Sequence, residues 1–204
     1  RADLSLLHWA ALRMAHHPDK VGEILGHVKD EQNDWRSVLS LEPLRWALVG
    51  EFRAVTLEQV TQVQPLWDAY KEALGVHGFN VWTGPVSAEE FGVPQVRRRA
   101  VLAASKDRMV CRPVATHSRY HSRTPSRLDA GVLPWVSMAE ALGWGVTERV
   151  GFPRVYDGRG ASVRLGGEQE YRGRDLHQTT RPAPTVTEKA RSWERVLPAV
   201  VAEV

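Results

Sequence analysis

The chain has 204 residues, 43% of them hydrophobic and 25% charged, proportions that fit a globular protein with one domain, or one domain and a small lobe. A single cysteine, Cys111, excludes an internal disulfide and a cysteine-rich zinc site, and the net charge of +3 is only mildly basic. No apolar run is long enough to span a membrane, no secretory signal opens the chain, and the lone cysteine suits a reducing compartment, so a cytoplasmic location is expected.

Leu4–Ala15 carries Leu4, Leu7, Ala11 and Met14 at helical spacing. Pro18-Asp19 ends that helix and begins a second, with Val21, Ile24, Leu25 and Val28 on one face. His17-Pro18-Asp19 is similar to the tripeptide of J-domain co-chaperones, but a Pro-Asp helix start accounts for it. Asp30–Arg36 reads as a polar loop and Val38–Val49 as a third helix through Leu41, Leu44, Ala47 and Leu48. Ala54–Val60 reads as a strand with Glu58 near its end. Pro65–Leu74 reads as a helix closed by Gly75 and Gly78, and Phe79–Trp82 and Ala100–Ala104 as two further strands. This alternation predicts an α/β fold with a mainly parallel sheet. From Lys106 to Thr180 the texture changes to Arg, His, Ser, Thr, Pro and Gly, with one short helix opened by a capping box at Ser137–Glu140. That stretch reads as a smaller, irregular lobe.

The densest chemistry lies in Ser87–Ser105, SAEEFGVPQVRRRAVLAAS. Gln95, Arg97 and Arg99 alternate, so an extended chain presents an amide and two guanidiniums on one face. Such a face suits an anionic or carbonyl-rich ligand. A solvated basic loop has the same pattern. Phe91–Arg127 holds Arg97, Arg98, Arg99, Arg108, Arg112, Arg119, Arg123, Arg127 and Lys106 against Asp107 alone, a local net of +8. A block of this kind is a solvated face or the footprint of a phosphate-backbone binder. His117 and His121 have the spacing of metal ligands on a helix, but their neighbours disfavour a helix and no carboxylate completes a site. No metal is expected, and both histidines are assigned to solvent or to DNA phosphates. Gly158-Arg159-Gly160 and Gly166-Gly167 read as turns rather than phosphate loops.

Four stretches, in this order, resemble motifs of the DNA (cytosine-5) methyltransferases. Leu41–Ala47, LEPLRWA, is similar to motif V. Leu57–Val60, LEQV, with Pro65-Leu66-Trp67 after it, is similar to motif VI. Gly92–Leu102, GVPQVRRRAVL, is similar to motif VIII, and Arg181–Thr187, RPAPTVT, to motif IX. Pro134–Trp144 resembles the bacterial, actinobacterial-type members. The resemblance covers about Leu41–Trp193. It implies a partial Rossmann-like methyltransferase sheet with helices in 1–105, a target-recognition lobe in 106–180 and a return segment in 181–204.

By the same resemblance, Glu58 is the acid that donates to N3 of a flipped cytosine, Arg99 steadies the O2 side, and Arg97 and Gln95 organise the pocket and the nearby backbone. Gln59 stands where the family usually has Asn. Arg98, Arg108, Arg112, Arg119, Arg123 and Arg127, with Gln95, are the expected DNA contacts. Arg181, Thr185 and Thr187 are expected to tie the lobe to the sheet. The intact enzyme takes S-adenosylmethionine (SAM) as methyl donor and duplex DNA as substrate, often within restriction-modification systems. The Phe-x-Gly-x-Gly loop for SAM, the Pro-Cys-Gln nucleophile turn and motif X do not occur in the sequence. Cys111, in Val-Cys-Arg-Pro after motif VIII, has the wrong place and the wrong neighbours for that nucleophile. The chain is therefore expected to be a fragment that is silent alone. The alternatives are one subunit of a split enzyme, needing a complementary N-terminal half, and a non-catalytic DNA-binding remnant.

Overall fold

Helices begin where the sequence supplies a cap or a proline. The computed structural model describes residues 3–31, 35–50, 52–145, 149–151, 176–185 and 194–196. These residues form two compact units, one of 1–86 with 98–114 and one of 87–97 with 115–204.

In the first unit, Asp3 caps α1 (Leu4–His16) by accepting the backbone N–H groups of Ser5 and Leu6 at 2.9 and 3.3 Å. A 3₁₀ turn at Pro18–Lys20 leads into α2 (Val21–Glu31), so the helix runs through Asp30 and Glu31, where a loop was expected. The third expected helix divides in two. Trp35–Leu41 is 3₁₀ and α3 (Glu42–Val49) follows, with Pro43 in its first turn. Proline has no N–H and its ring clashes with the carbonyl four residues back, so one α-helix cannot run unbroken from Val38 past Pro43. α4 (Gln64–Val76) starts on Pro65 and ends before Gly78, whose φ of +79° is the left-handed conformation glycine adopts cheaply.

β1 (Ala54–Gln59), β2 (Asn80–Ser87) and β3 (Arg98–Ser105) form a sheet in the order β1-β3-β2. The sheet is antiparallel, which corrects the expectation of a mainly parallel one. The reason is connection length. Only Ala88–Arg97 separates β2 from β3 and it contains no crossover helix, so β3 returns beside β2 in the opposite direction. β1 and β2, joined through α4, share a direction, and β3 lies between them. Ala100, Leu102 and Ala104 of β3 alternate into the core against Leu66, Trp67, Tyr70 and Leu74 of α4. The Trp67 indole N–H donates to the Ala100 carbonyl at 3.2 Å, and the Tyr70 hydroxyl donates to the Ser40 carbonyl. α1 adds Leu7, Ala10, Ala11 and Met14 to the same core.

The second unit is built differently. Ser87 and Glu90 close a capping box around the 3₁₀ turn Ala88–Phe91, with the Ser87 N–H reaching Glu90 Oε2 at 3.1 Å. Gly92 follows at φ +77°, directly under the His117 ring. A Cβ built there would lie 2.7 Å from His117 Cε1. Ser137 caps α5 (Met138–Leu142) by accepting the Glu140 N–H at 3.1 Å, as its sequence pattern predicts. Three short strands, β4 (Arg149–Gly151), β5 (Leu176–Gln178) and β6 (Glu194–Val196), pair antiparallel in the order β5-β4-β6. Gly158–Gly160, Gly166, Gly167, Thr187 and Trp193 lie outside the described residues. Among those described, no helix is long and apolar enough to cross a membrane.

Candidate functional site

Strand register brings Glu58 and Arg99 together. Glu58 lies opposite Val101 in the β1–β3 ladder, and Arg99 precedes Val101 by two residues, so the two side chains are diagonal neighbours on one face. Arg99 Nε meets Glu58 Oε1 at 2.8 Å. The Arg99 side chain is 21% exposed and that of Glu58 51%, so the pair is set into the surface on the arginine side and open on the carboxylate side. Arg99 Nη1 also donates to its neighbour's carbonyl, Arg98 O, at 2.9 Å, which fixes the plane of the guanidinium.

Glu58 also lines a cleft of about 490 Å³ in the same unit. Leu4, Leu7, Leu57, Leu66 and Trp67 give it an apolar floor. Arg36, Ser37, Ser40 and Gln59 supply polar groups. The cleft has room for a planar heterocycle. The Gln59 amide oxygen accepts the Val60 N–H at 2.9 Å, so its carbonyl is engaged at the turn that ends β1.

The strand does not extend upstream over the rest of the predicted face. β3 begins at Arg98, while Gln95 and Arg97 belong to the second unit. Gln95 forms a parallel bridge to Ala183, and the Arg97 carbonyl accepts the Ala88 N–H at 2.9 Å. The expected alternation of Gln95, Arg97 and Arg99 along one strand is therefore corrected: Gln95 pairs with Ala183, β3 begins at Arg98, and pairing with β1 starts at Ala100. The stretches likened to motifs VIII and IX do meet in the second unit. Val96 N–H donates to Ala183 O at 2.7 Å, Ala183 N–H to Pro94 O at 2.8 Å, and the Thr185 hydroxyl to Val96 O at 2.8 Å. Arg181 offers its carbonyl to the Met138 N–H at 3.1 Å.

Arg98, Arg108, Arg112, Arg119, Arg123 and Arg127 are all exposed. The first three belong to the first unit and the last three to the second. Asp107, the one acid of that run, is gripped in a two-point pair by Arg53, with Nε–Oδ2 at 2.7 Å. The Arg53 guanidinium holds the Asp107 carboxyl below its usual range. Cys111 is an exposed thiol.

His117 and His121 do not share a helix. His117 bridges to Leu133 and contacts the Thr116 hydroxyl through Nδ1 at 2.9 Å. His121 Nε2 meets Asp129 Oδ1 at 3.0 Å, a carboxylate partner the sequence pattern had not supplied. Both histidines are partly exposed. Among the described residues, no group of three or more His, Cys, Asp or Glu is placed to hold a metal ion.

Two buried carboxylates escaped the sequence reading. Glu89 and Glu90 are 3% and 7% exposed. Glu90 is used by the capping box, whose Ser-x-x-Glu signature was readable at Ser87–Glu90. Glu89 Oε2 is buried without a hydrogen-bond partner. Desolvation pushes the Glu89 carboxyl above its ordinary range, against the pull of backbone hydrogen bonds from Glu89 and Arg97 and of the Arg119 charge.

No protein-family model matches this chain, and no curated protein matches its sequence.

Proposed function

We propose that the chain is the base-holding and DNA-binding part of a DNA (cytosine-5) methyltransferase, with β1, β2 and β3 forming part of a Rossmann-like sheet and 106–180 contributing to target recognition. The observation that carries this reading is the Glu58–Arg99 contact. Two residues singled out by separate motif resemblances lie 2.8 Å apart, and one of them, Glu58, also lines a cleft with room for a pyrimidine. A cytosine extruded from the duplex, at a cost of a few kcal/mol, would meet both groups on one edge. Arg99 donates to O2, which is negatively polarised and becomes more so when a nucleophile adds at C6. Glu58, in its protonated form, donates to N3, where the same electrons collect. A proton donor at N3 lowers the barrier to addition by general-acid catalysis. Base binding thus separates the Glu58 carboxylate from its guanidinium partner; the carboxylate takes up a proton from solvent, and two hydrogen bonds to one ring replace the pairing.

The remaining parts of the reaction belong elsewhere. SAM supplies the methyl group in such an enzyme. Among the described residues the positive-φ glycines are Gly78, Gly92, Gly131 and Gly143, which lie at turns and helix ends rather than between a strand and a following helix. They do not fit the glycine loop that seats this cofactor. The nucleophile is likewise assigned to a complementary half carrying a Pro-Cys-Gln turn. The chain alone binds duplex DNA and transfers nothing.

The test is reconstitution. The chain is mixed with a separately expressed methyltransferase half bearing both loops, and transfer of labelled methyl groups to duplex DNA is counted. Activity is expected only in the mixture, with a loss of about 10²-fold for Glu58→Gln and retained DNA binding. Full activity of the Glu58→Gln mixture would end this reading. A second reading, a non-catalytic DNA-binding protein, rests on the exposed arginines together with the lack of a Pro-Cys-Gln turn in the sequence. Salt-dependent duplex binding without any transfer in the mixture would favour it.

A further inference from the structure

The stretch Ser118–Asp129, SRYHSRTPSRLD, carries Arg119, Arg123 and Arg127 four residues apart, separated by turn-forming Ser, Thr and Pro. Two successive turns fold it, with Thr124 N–H donating to His121 O and Arg127 N–H to Thr124 O, each at 2.9 Å. Asp129 closes it. One carboxylate oxygen, Oδ2, accepts the Arg119 backbone N–H at 3.0 Å and lies 3.4 Å from the Ser118 hydroxyl, which donates more closely to the Arg119 carbonyl at 2.9 Å. The other, Oδ1, meets His121 Nε2 at 3.0 Å. The Asp129 N–H returns a hydrogen bond to Ser118 Oγ at 2.9 Å. Ser118 is fully buried, and its own N–H is tied to Leu133 O at 2.8 Å, so the clasp is anchored to the unit. Tyr120 packs edge-on against Trp135, with centroids 5.0 Å apart.

The direction of that carboxylate is the informative point. Asp129 is the only acid between Arg108 and Ala139. It shares the loop with three arginines, yet its acceptor contacts are to a backbone N–H, a hydroxyl and an imidazole rather than to a guanidinium. All three arginines are exposed. An acid that bonded them would cancel the loop's charge. An acid that bonds the backbone fixes the loop's shape without pairing with its guanidiniums. Preformed, charged, forked donors on a fixed loop suit phosphate oxygens, and positioning ahead of binding lowers its entropic cost.

We propose that the Ser118–Asp129 loop is a preformed grip for the phosphate backbone of duplex DNA, with Asp129 as its positioning residue. This rests on the DNA reading above and names the element that performs it. The experiment is duplex binding by the full chain, read by fluorescence anisotropy on a labelled random-sequence duplex over a range of NaCl concentrations. Arg119→Ala, Arg123→Ala and Arg127→Ala are each expected to reduce the slope of log K against log salt by about 0.9. Asp129→Ala removes a negative charge, and charge alone predicts tighter binding. The loop proposal predicts the reverse, a loss of about 10-fold, with a shallower slope although no cation has been removed. Asp107→Ala serves as the charge control and is expected to bind at least as tightly as the parent. Asp129→Asn, which keeps an acceptor for the Arg119 N–H, is expected to lose about 3-fold and keeps the test usable if Asp129→Ala does not fold.

Unchanged or tighter binding by folded Asp129→Ala and Asp129→Asn would overturn the positioning role. Salt-dependent binding that persists unaltered in the triple arginine variant would overturn the loop while sparing the DNA reading. A parent chain with no salt-dependent duplex binding would sink both. A clear preference for single-stranded RNA or an acidic peptide would overturn the partner named here.

Discussion

The two units are stabilised by different physics. In the first, the buried side chains are apolar: Leu7, Met14, Leu41, Leu44, Leu66, Trp67, Tyr70, Leu74 and Leu102 form one continuous core. In the second, the buried apolar residues among those described are few, namely Met138, Ala139, Val150 and Ala183, and small groups do the ordering. The five buried polar residues among those described, Ser87, Glu89, Glu90, Ser118 and Thr179, all belong to it. An apolar core tolerates volume-conserving change and resists pH. A scaffold of caps and clasps depends on hydrogen-bond geometry and protonation, and is therefore the unit in which small chemical changes should register.

That contrast is broken most directly at β3. Leu102→Ala removes a fully buried side chain and is expected to cost about 3–4 kcal/mol, measured by urea denaturation. A loss below about 1 kcal/mol would mean that the helix-on-sheet core is not the dominant stabiliser. Next in size is Gly92→Ala, which imposes a left-handed backbone on an L-residue and drives a methyl into His117. About 2 kcal/mol is expected, read as lost amide-exchange protection at Thr116 and His117, whose N–H groups bond Glu90 O. Protection at Leu102 should stay unchanged.

Protonation sharpens the comparison further. The fold raises the Glu89 carboxyl, so it favours the proton. That contribution is complete below the ordinary carboxylate value of about 4 and is lost as pH rises through the raised one. Ionised Glu89 then costs stability at neutral pH, and Glu89→Gln is expected to raise Tm by about 2–4 °C at pH 7 and by nothing at pH 3. Asp129 acts in the opposite sense. The backbone N–H of Arg119, then His121, holds its carboxyl below the usual range. Its contribution is present above about pH 4 and fades as pH falls further. Equal Tm gains for Glu89→Gln at both pH values would remove the burial account of Glu89.

The smallest effect belongs to the proposed site. Glu58 and Arg99 form a half-open pair, and a double-mutant cycle for stability should give about 0.5 kcal/mol or less. A coupling of several kcal/mol would make the pair a structural strut instead of a ligand site.

Helix positions were legible because Leu4–Met14, Val21–Val28 and Leu66–Leu74 repeat their apolar residues at the helical period, and strand β3 because a short apolar run follows charged residues. Sheet direction was not. It depends on how Ala88–Arg97 folds, and that segment's capping box and left-handed Gly92 set a return that residue alternation does not encode. The break at Arg98 escaped for the same reason. Gln95, Arg97 and Arg99 do alternate in the sequence, but the Pro94–Ala183 pairing claims the first part of the run. Glu58 and Arg99 were named from motif resemblance, and their contact follows from the register Glu58↔Val101, which no local pattern states. Asp129 lay beyond reach altogether, since its partners Ser118, Arg119 and His121 are separated from it by a doubly turned loop.

Ser87–Arg97 belongs with the residues from Ala115 on, yet in the sequence it is inserted between two stretches of the other unit, 1–86 and 98–114. A gene exchange that swapped the later part of the chain at a single junction near Val114 would separate Glu90 from Thr116 and His117, and Val96 from Ala183 and Thr185. The heritable cassette for this lobe is therefore split in two places along the gene. Descendants that acquire a new lobe must bring both pieces, or repair the missing one afterwards.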